Sequence, residues 1–403
     1  MSSLLETTSL PEVCELVTDG THDSPKLQSY GVPFIKGKHI SSEKIDFENC
    51  DYIKEEDHQR CVKRVKPQFN DVLFSNIGSI GDAARVVTET EFSIKNVALF
   101  RPNPAKIDPL YFYYLVISPY FRGRFLNVRS GSAQPFISLE SFRSLKFKCL
   151  RDKKAQENAG TILSAYDDLI ENNRRRIQLL EKAARLLYKE WFVHLRFPGH
   201  EHTQIIDGVP EGWKKGVVSD FYDTASGGTP SRKTPEFYGG TIRWVKTQEL
   251  EDGFLFDTEE HITENAIKKS AAKLFPANTV LIAMYGATIG QVGVIVESST
   301  CNQACCAVMP KAEGTSYEHA FLFFLNNKEG LRNLGQGTAQ KNISQQVIRA
   351  YEMVLPDKLV LNMFRINAGP FLRQIRTLQS MNQKLAKARD LLLPKLMNGE
   401  MAV

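Results

Sequence analysis

The sequence has no long apolar run; nothing approaches the roughly 18 residues of a membrane-spanning helix. It has seven cysteines in 403 residues, and no two of them stand as C-x-x-C. That excludes the common zinc and redox spacings and gives no support to a disulfide framework. Cys301, Cys305 and Cys306 do cluster, but Cys305 and Cys306 are neighbours in a strand-like apolar run. Adjacent strand residues face opposite ways, so buried, reduced thiols are expected rather than a metal site. Charge of one sign is not in large excess: 51 Lys and Arg against 46 Asp and Glu leave +5. Such a balance permits nucleic-acid binding without requiring it. The first residues lack a basic segment followed by an apolar one, so a cytoplasmic location is expected. Hydrophobic content of 42% and charged content of 24% are ordinary for a globular chain. The length allows two or three domains, each able to bury a core.

Catalytic signatures are equally scarce. The stretch from Gly31 to Lys38 has five residues between its glycines, and His39 stands where a phosphate loop needs Ser or Thr. Asp108-Pro109-Leu110-Tyr111 has Leu110 where an amino-methyltransferase loop has proline, so a helix start with Pro109 in its first turn is expected. Gly286, Gly290 and Gly293 are not a G-x-G-x-x-G, and His200 and His202 have no third ligand at metal spacing. There is no nucleophile elbow and no H-E-x-x-H. No catalytic residue and no metal ligand is assigned.

What is present is periodicity. Ala159, Leu163, Tyr166, Ile170, Asn173, Ile177, Leu180, Ala184, Leu187 and Trp191 follow steps of four and three, the seam of a coiled coil. Charged and amide residues such as Arg174, Arg175 and Glu181 fill the positions between. The pattern returns 205 residues later in Phe364, Ala368, Phe371, Ile375, Leu378, Asn382, Leu385, Arg389, Leu392 and Leu396. Two such rods in one chain predict an antiparallel pair that sets Asn173 opposite Asn382, a polar register device.

The segments before the rods repeat as well. Phe34-Ile35-Lys36 matches Trp244-Val245-Lys246, and Val72-Leu73-Phe74 with Gly78 matches Val280-Leu281-Ile282 with Gly286. Asn96-Val97-Ala98 matches Asn302-Gln303-Ala304. Gly131-Ser132-Ala133-Gln134 matches Gly337-Thr338-Ala339-Gln340. The plan is therefore two collinear copies of a globular stretch plus a helix. The first globular stretch is expected from about Leu10. Strands are expected near Val32, near Asp71 and over 96–101, with an aromatic helix over 110–124 broken at Pro119. A Gly- and Pro-rich linker is expected over 196–212. Domain bounds follow at 1–151, 152–195, 196–357 and 358–403. The fold class is α+β: two pseudo-repeated mixed α/β domains separated by two long antiparallel coiled-coil helices.

The matched polar loops are the candidate binding surface. Lys36, Lys38 and His39 follow one strand; Lys246, Thr247 and Gln248 follow its copy. Asn76 and Ser79, with Tyr285 and Thr288, sit at the glycine turns. Arg129, Ser130, Ser132 and Gln134 line one late loop, and Gln336, Thr338, Gln340, Lys341 and Asn342 line the other. Such side chains read base edges and hold phosphates. Helix pairing is assigned to the seam residues, Leu163 to Leu187 in the first rod and Phe371 to Leu392 in the second.

Four motifs give these halves a family. They are Leu186-Leu187-Tyr188-Lys189-Glu190-Trp191-Phe192, Gly208-Val209-Pro210-Glu211-Gly212-Trp213, and the Gly-Gly-Thr-Pro-Ser run 227–231 with Tyr238-Gly239-Gly240. The fourth is the run from Leu391 to Glu400. With them the chain resembles, end to end, the specificity subunits of type I restriction–modification enzymes. Asp19-Gly20-Thr21-His22-Asp23-Ser24-Pro25 replaces the Gly-Gly-Thr-Pro-Ser form in the first half, so the two halves should read different sequences. The resemblance implies target-recognition domains that each read half of a split double-stranded DNA target. Helices would set the spacer, two methyltransferase subunits would carry S-adenosylmethionine, and motor–nuclease subunits would join for cleavage. This chain itself would bind no cofactor and catalyse nothing. The rivals are a fused methyltransferase or nuclease, a stand-alone DNA-binding regulator, and a coiled-coil scaffold without nucleic acid.

Overall fold

A computed structural model describes residues 4–41, 43–78, 80–126, 136–335 and 342–401. The chain forms two compact units, one of residues 1–170 with 384–403 and one of residues 171–383. Two 40-residue helices, Lys153–Phe192 and Lys358–Met397, each contribute one part to each unit. At 1.5 Å per residue each is about 60 Å long.

In the first unit, strand Leu5–Ser9 pairs antiparallel with Lys146–Leu150, so the module closes on itself just before the long helix leaves. The main sheet runs in the order Cys14–Asp19, Ala98–Pro102, Val72–Phe74, Ala83–Arg85. A second sheet holds Val32–Lys36 between Asp51–Ile53, antiparallel, and Ser93–Lys95, parallel. Helix Pro109–Ile117 is buried at every residue from Tyr111 to Ile117. A helix apolar all round has no solvent face to offer. Asp108 caps it by accepting the Tyr111 N–H at 2.7 Å. Gly160 of the long helix lies against the start of this helix; a Cβ there would come within 2.9 Å of the Tyr111 nitrogen.

The second unit repeats this plan. Lys214–Val217 pairs with Glu352–Leu355, and the main sheet runs Tyr222–Ser226, Cys305–Pro310, Val280–Ala283, Val292–Ile295, with Gly253–Leu255 added at the edge. Tyr238–Val245 lies between His261–Ile262, antiparallel, and Thr300–Cys301, parallel. Helix Tyr317–Asn326 takes the place of Pro109–Ile117, capped by Ser316. Core chemistry diverges within the shared frame. Phe74, Phe100 and Phe142 pack ring against ring, with centroids 5.1–6.0 Å apart. Ile282, Val308 and Ile348 stand at the matching places.

Both units contain a helix pair, antiparallel in each. In the first, Asp167 meets Arg389 at 2.6 Å, and Leu163 shares a core with Leu393, Leu396 and Met397. In the second, Trp191 packs on Phe364 with centroids 5.7 Å apart, and Asn173 Nδ2 donates to Asn382 Oδ1 at 2.9 Å. Of the pairing residues, Leu163, Ile170, Asn173, Ile177, Ile375 and Leu378 are buried. Tyr166, Leu180, Leu187, Phe371, Asn382, Leu385 and Leu392 are half-buried.

Several element bounds differ from expectation. The first module begins at Leu5, because Leu5–Ser9 supplies the closing strand. The strand expected from Asn96 begins at Ala98; Asn96 takes the left-handed conformation (φ 51°) between Ser93–Lys95 of one sheet and Ala98–Pro102 of the other. The linker over 196–212 contains a two-stranded ribbon, Ile205–Ile206 with Val209–Pro210. The aromatic helix does break at Pro119, giving Pro109–Ile117 and Pro119–Leu126. Cys305 and Cys306 point to different cores, as strand alternation requires.

Candidate nucleic-acid interface

In both modules the loop that opens the main sheet is held by close backbone approach. A Cβ on Gly20 would lie 2.2 Å from the Ile94 oxygen, and one on Gly227 would lie 2.2 Å from the Cys301 oxygen. Only glycine fits there. Tyr238 Oη donates to the Pro230 oxygen at 2.6 Å, and Trp244 Nε1 donates to the Gly228 oxygen at 2.9 Å. The Gly-Gly-Thr-Pro-Ser run is thus tied into the frame at several points.

The strand ends that follow carry the candidate lysines. After Lys36 the chain makes a short 3-10 turn, Gly37–His39, and the Lys36 N–H donates to His39 Nδ1 at 3.1 Å. His39 is buried, and burial, together with the nearby Lys38, pushes its pKa below the ordinary imidazole range. Its side chain shapes the turn. Lys36 Nζ lies 2.8 Å from Asp51 Oδ2, and Lys38 Nζ lies 3.4 Å from Asp51 Oδ1. Burial opposes the charge of Asp51, but Lys36 outweighs it and holds the carboxyl below its usual range. Lys38 is the more presented, with 63% of its side chain exposed.

The second module builds the same turn with a different residue. The Lys246 N–H donates to Glu249 Oε2 at 2.6 Å, so a carboxylate replaces the imidazole of His39. Lys246 is paired with Glu259 and with Glu260, 3.1 Å away; Glu259 first, then Glu260, raises its pKa. Gln248 is exposed and Thr247 half-buried. Arg232 stacks over Tyr238 at 4.3 Å and makes a forked pair with Glu260.

The glycine turns are superimposable in kind. Gly78 (φ 77°) and Gly286 (φ 66°) both use the left-handed region. Ile77 forms a bridge with Phe136, and Tyr285 forms one with Asn342. The Ile137 N–H donates to the Asn76 oxygen at 2.9 Å, as the Ile343 N–H does to the Met284 oxygen at 2.9 Å. Asn76 is buried, its Nδ2 donating to the Ile137 oxygen. It fastens the turn to the chain after the late loop. Tyr285 is 41% exposed, Asn342 is exposed, and half-buried Thr288 donates to the Tyr285 oxygen at 2.9 Å. In the first module Gly37 rests on this turn: a Cβ there would meet Ser75 Oγ at 2.7 Å. In the first module, strand end, glycine turn and late-loop base are therefore joined.

Ser79, Arg129, Ser130, Ser132, Gln134, Gln336, Thr338, Gln340 and Lys341 lie outside the described residues. Ile77 and Phe136 are apolar and so fall outside the polar loop residues expected to contact DNA. The available signal was their match to Tyr285 and Asn342 in the repeat. Among the described residues no group of three or more His, Cys, Asp or Glu could hold a metal ion, and no helix is long and apolar enough to cross a membrane.

Two modules of one topology, each presenting different side chains from the same loops, define a duplicated recognition protein. The chain belongs to the family described as type I restriction modification DNA specificity domain, whose model matches residues 3–182 and 210–359. It is 24% identical to the type I restriction enzyme MjaIX specificity subunit of Methanocaldococcus jannaschii, over 96% of this chain and 91% of that protein. It is 25% identical to the HindI specificity subunit of Haemophilus influenzae, over 79% and 82%. The crystal structure of a type I restriction–modification system S subunit from M. genitalium shares the fold. Its TM-score is 0.63 at 12% identity, covering 98% of this chain and 96% of that one.

Proposed function

We propose that this DNA specificity chain reads a two-part target, one half with each module, through the strand end, the glycine turn and the residues that bridge to it. The observation that carries this is the element-by-element repetition of the frame, combined with different side chains at matching loop positions. A common frame with changed loops is how one scaffold serves two targets. Two readers joined by a stiff element sample DNA at a fixed helical phase, so the long helices set the unread spacer.

The chain contributes sequence choice and neither methylates nor cleaves. Two methyltransferase subunits, which bind S-adenosylmethionine, take the target adenines out of the stack, and motor–nuclease subunits join them. Docking of the methyltransferases on the helices is supported by exposed apolar side chains at seven-residue intervals. Leu179 and Leu186 lie on one helix, with Val193 directly after its end, and Leu359 and Ile366 lie on the other. An exposed apolar stripe on a helix is a usual place for a partner helix.

The experiment is to sequence methylated sites in cells carrying this chain with its methyltransferase, then exchange one module for that of another specificity chain. A change in only one half of the site supports the reading. Methylation by the purified chain alone, or a change in both halves, refutes it.

A further inference from the structure

The bridges Ile77–Phe136 and Tyr285–Asn342 occupy the same place in the two modules. Directly opposed residues in an antiparallel bridge project to the same side. Chain neighbours project to the other side, and one neighbour of each bridge residue, Asn76, Ile137, Met284 or Ile343, is buried. The bridge pairs therefore face outward. Phe136 is 42% exposed and Tyr285 41%, with Ile77 half-buried and Asn342 exposed. Among the described residues, Phe136 and Ile77 belong to none of the buried hydrophobic clusters. The adjoining turn carries exposed Lys38, and its Gly37 is packed on Ser75.

We infer that these two bridge pairs are base-reading positions of opposite chemistry. Ile77 and Phe136 form an apolar contact for a thymine 5-methyl group. Asn342, flanked by Tyr285, reads the N6 and N7 edge of an adenine. The inference rests on the half-site reading above and extends it to chemistry. In the major groove the thymine methyl is the only apolar feature, and a side-chain amide matches adenine with two hydrogen bonds. Lys38 then holds a phosphate beside the first contact, fixing register without reading sequence.

The test uses the assembled complex with its methyltransferase subunits on duplexes of the mapped target. Each thymine is replaced in turn by uracil, which removes only the methyl, and each adenine by 7-deazaadenine, which removes only N7. The expected result is one methyl-sensitive thymine in the first half-site, weakened on the order of tenfold. Phe136→Ser abolishes that sensitivity and Phe136→Leu keeps it. Asn342→Ala abolishes a 7-deaza sensitivity confined to the second half-site. If Phe136→Ser retains the wild-type uracil profile, the inference falls while the half-site reading stands. If Phe136→Ser does not assemble, the wild-type scan decides, and absence of any methyl-sensitive thymine in the first half-site overturns it. A wild-type complex with no half-site preference at all would instead refute the underlying reading.

Discussion

Asn173 and Asn382 face each other across the helix pair, amide to amide, with Asn173 only 5% exposed. A buried polar group without its partner costs about 1–3 kcal/mol. Asn382→Leu should therefore destabilise the second unit by about that much, as read in denaturant unfolding. Asn173→Leu with Asn382→Leu should recover most of the loss. It should also lose the single register that a matched polar pair imposes, which would show as broadened helix resonances.

Arg389 stands at a seam position where a hydrophobe would be expected. It spans Glu43 Oε2 at 2.7 Å and Asp167 Oδ1 at 2.6 Å, and Tyr114 Oη donates to Asp167 at 2.6 Å. Burial opposes the guanidinium charge, but Glu43 and Asp167 outweigh it. Arg389→Leu strands two carboxylates that are 25% and 30% exposed. The expected loss is about 2 kcal/mol, less than for a fully buried pair because solvent screens both acids. Adding Glu43→Gln and Asp167→Asn should restore stability in a thermal melt.

His319 is sealed among Tyr188, Phe192, Tyr222 and Phe364, and burial alone brings its pKa down from 6.5 to about 4. The unfolded chain takes up its proton near pH 6.5; the folded one does not until about pH 4. Stability is thus full above pH 6.5 and declines as pH falls toward 4, by up to about 3 kcal/mol. In a chain carrying His319→Gln, unfolding followed from pH 7 to pH 4 should show a slope shallower by one proton.

The seam was legible because a 3.5-residue period leaves few alternatives over thirty residues, and the repeat because glycines and apolar strands recur at one offset. The loops were not. His39 and Asn76 carry side chains suited to DNA, yet each is buried, with one nitrogen, His39 Nδ1 or Asn76 Nδ2, bonded to backbone at a turn. Nothing in composition separates a turn-closing amide from a base-reading one. Phe136 shows the converse: an apolar residue left outward by strand alternation, visible only once its register with Ile77 is known.

Gly20 and Gly227 give a clean separation of the modules. Alanine at either would place a Cβ 2.2 Å from a carbonyl oxygen, an overpacking expected to cost about 3 kcal/mol or more. Gly20→Ala should weaken recognition of one half-site and Gly227→Ala of the other, measured by binding to targets mutated in each half.

Because Asn173 opposes Asn382, an insertion in one helix needs its match in the other. Seven residues added after Arg175, with seven added before Ser380, keep the seam and lengthen the pair by about 10 Å. Mapped methylation sites should then have spacers about three base pairs longer, at 3.4 Å per pair.

The core of the first unit includes Leu393, Leu396 and Met397, and Tyr111 donates to the Met397 oxygen at 3.3 Å. On the ribosome those residues emerge more than two hundred positions after the module they complete. The first module must therefore wait, with an apolar cleft along Tyr111 and Leu163, while the whole second module is being made. The nascent chain is most vulnerable to aggregation and to proteases during that interval. A truncation near the carboxyl end would harm the half of the molecule made first.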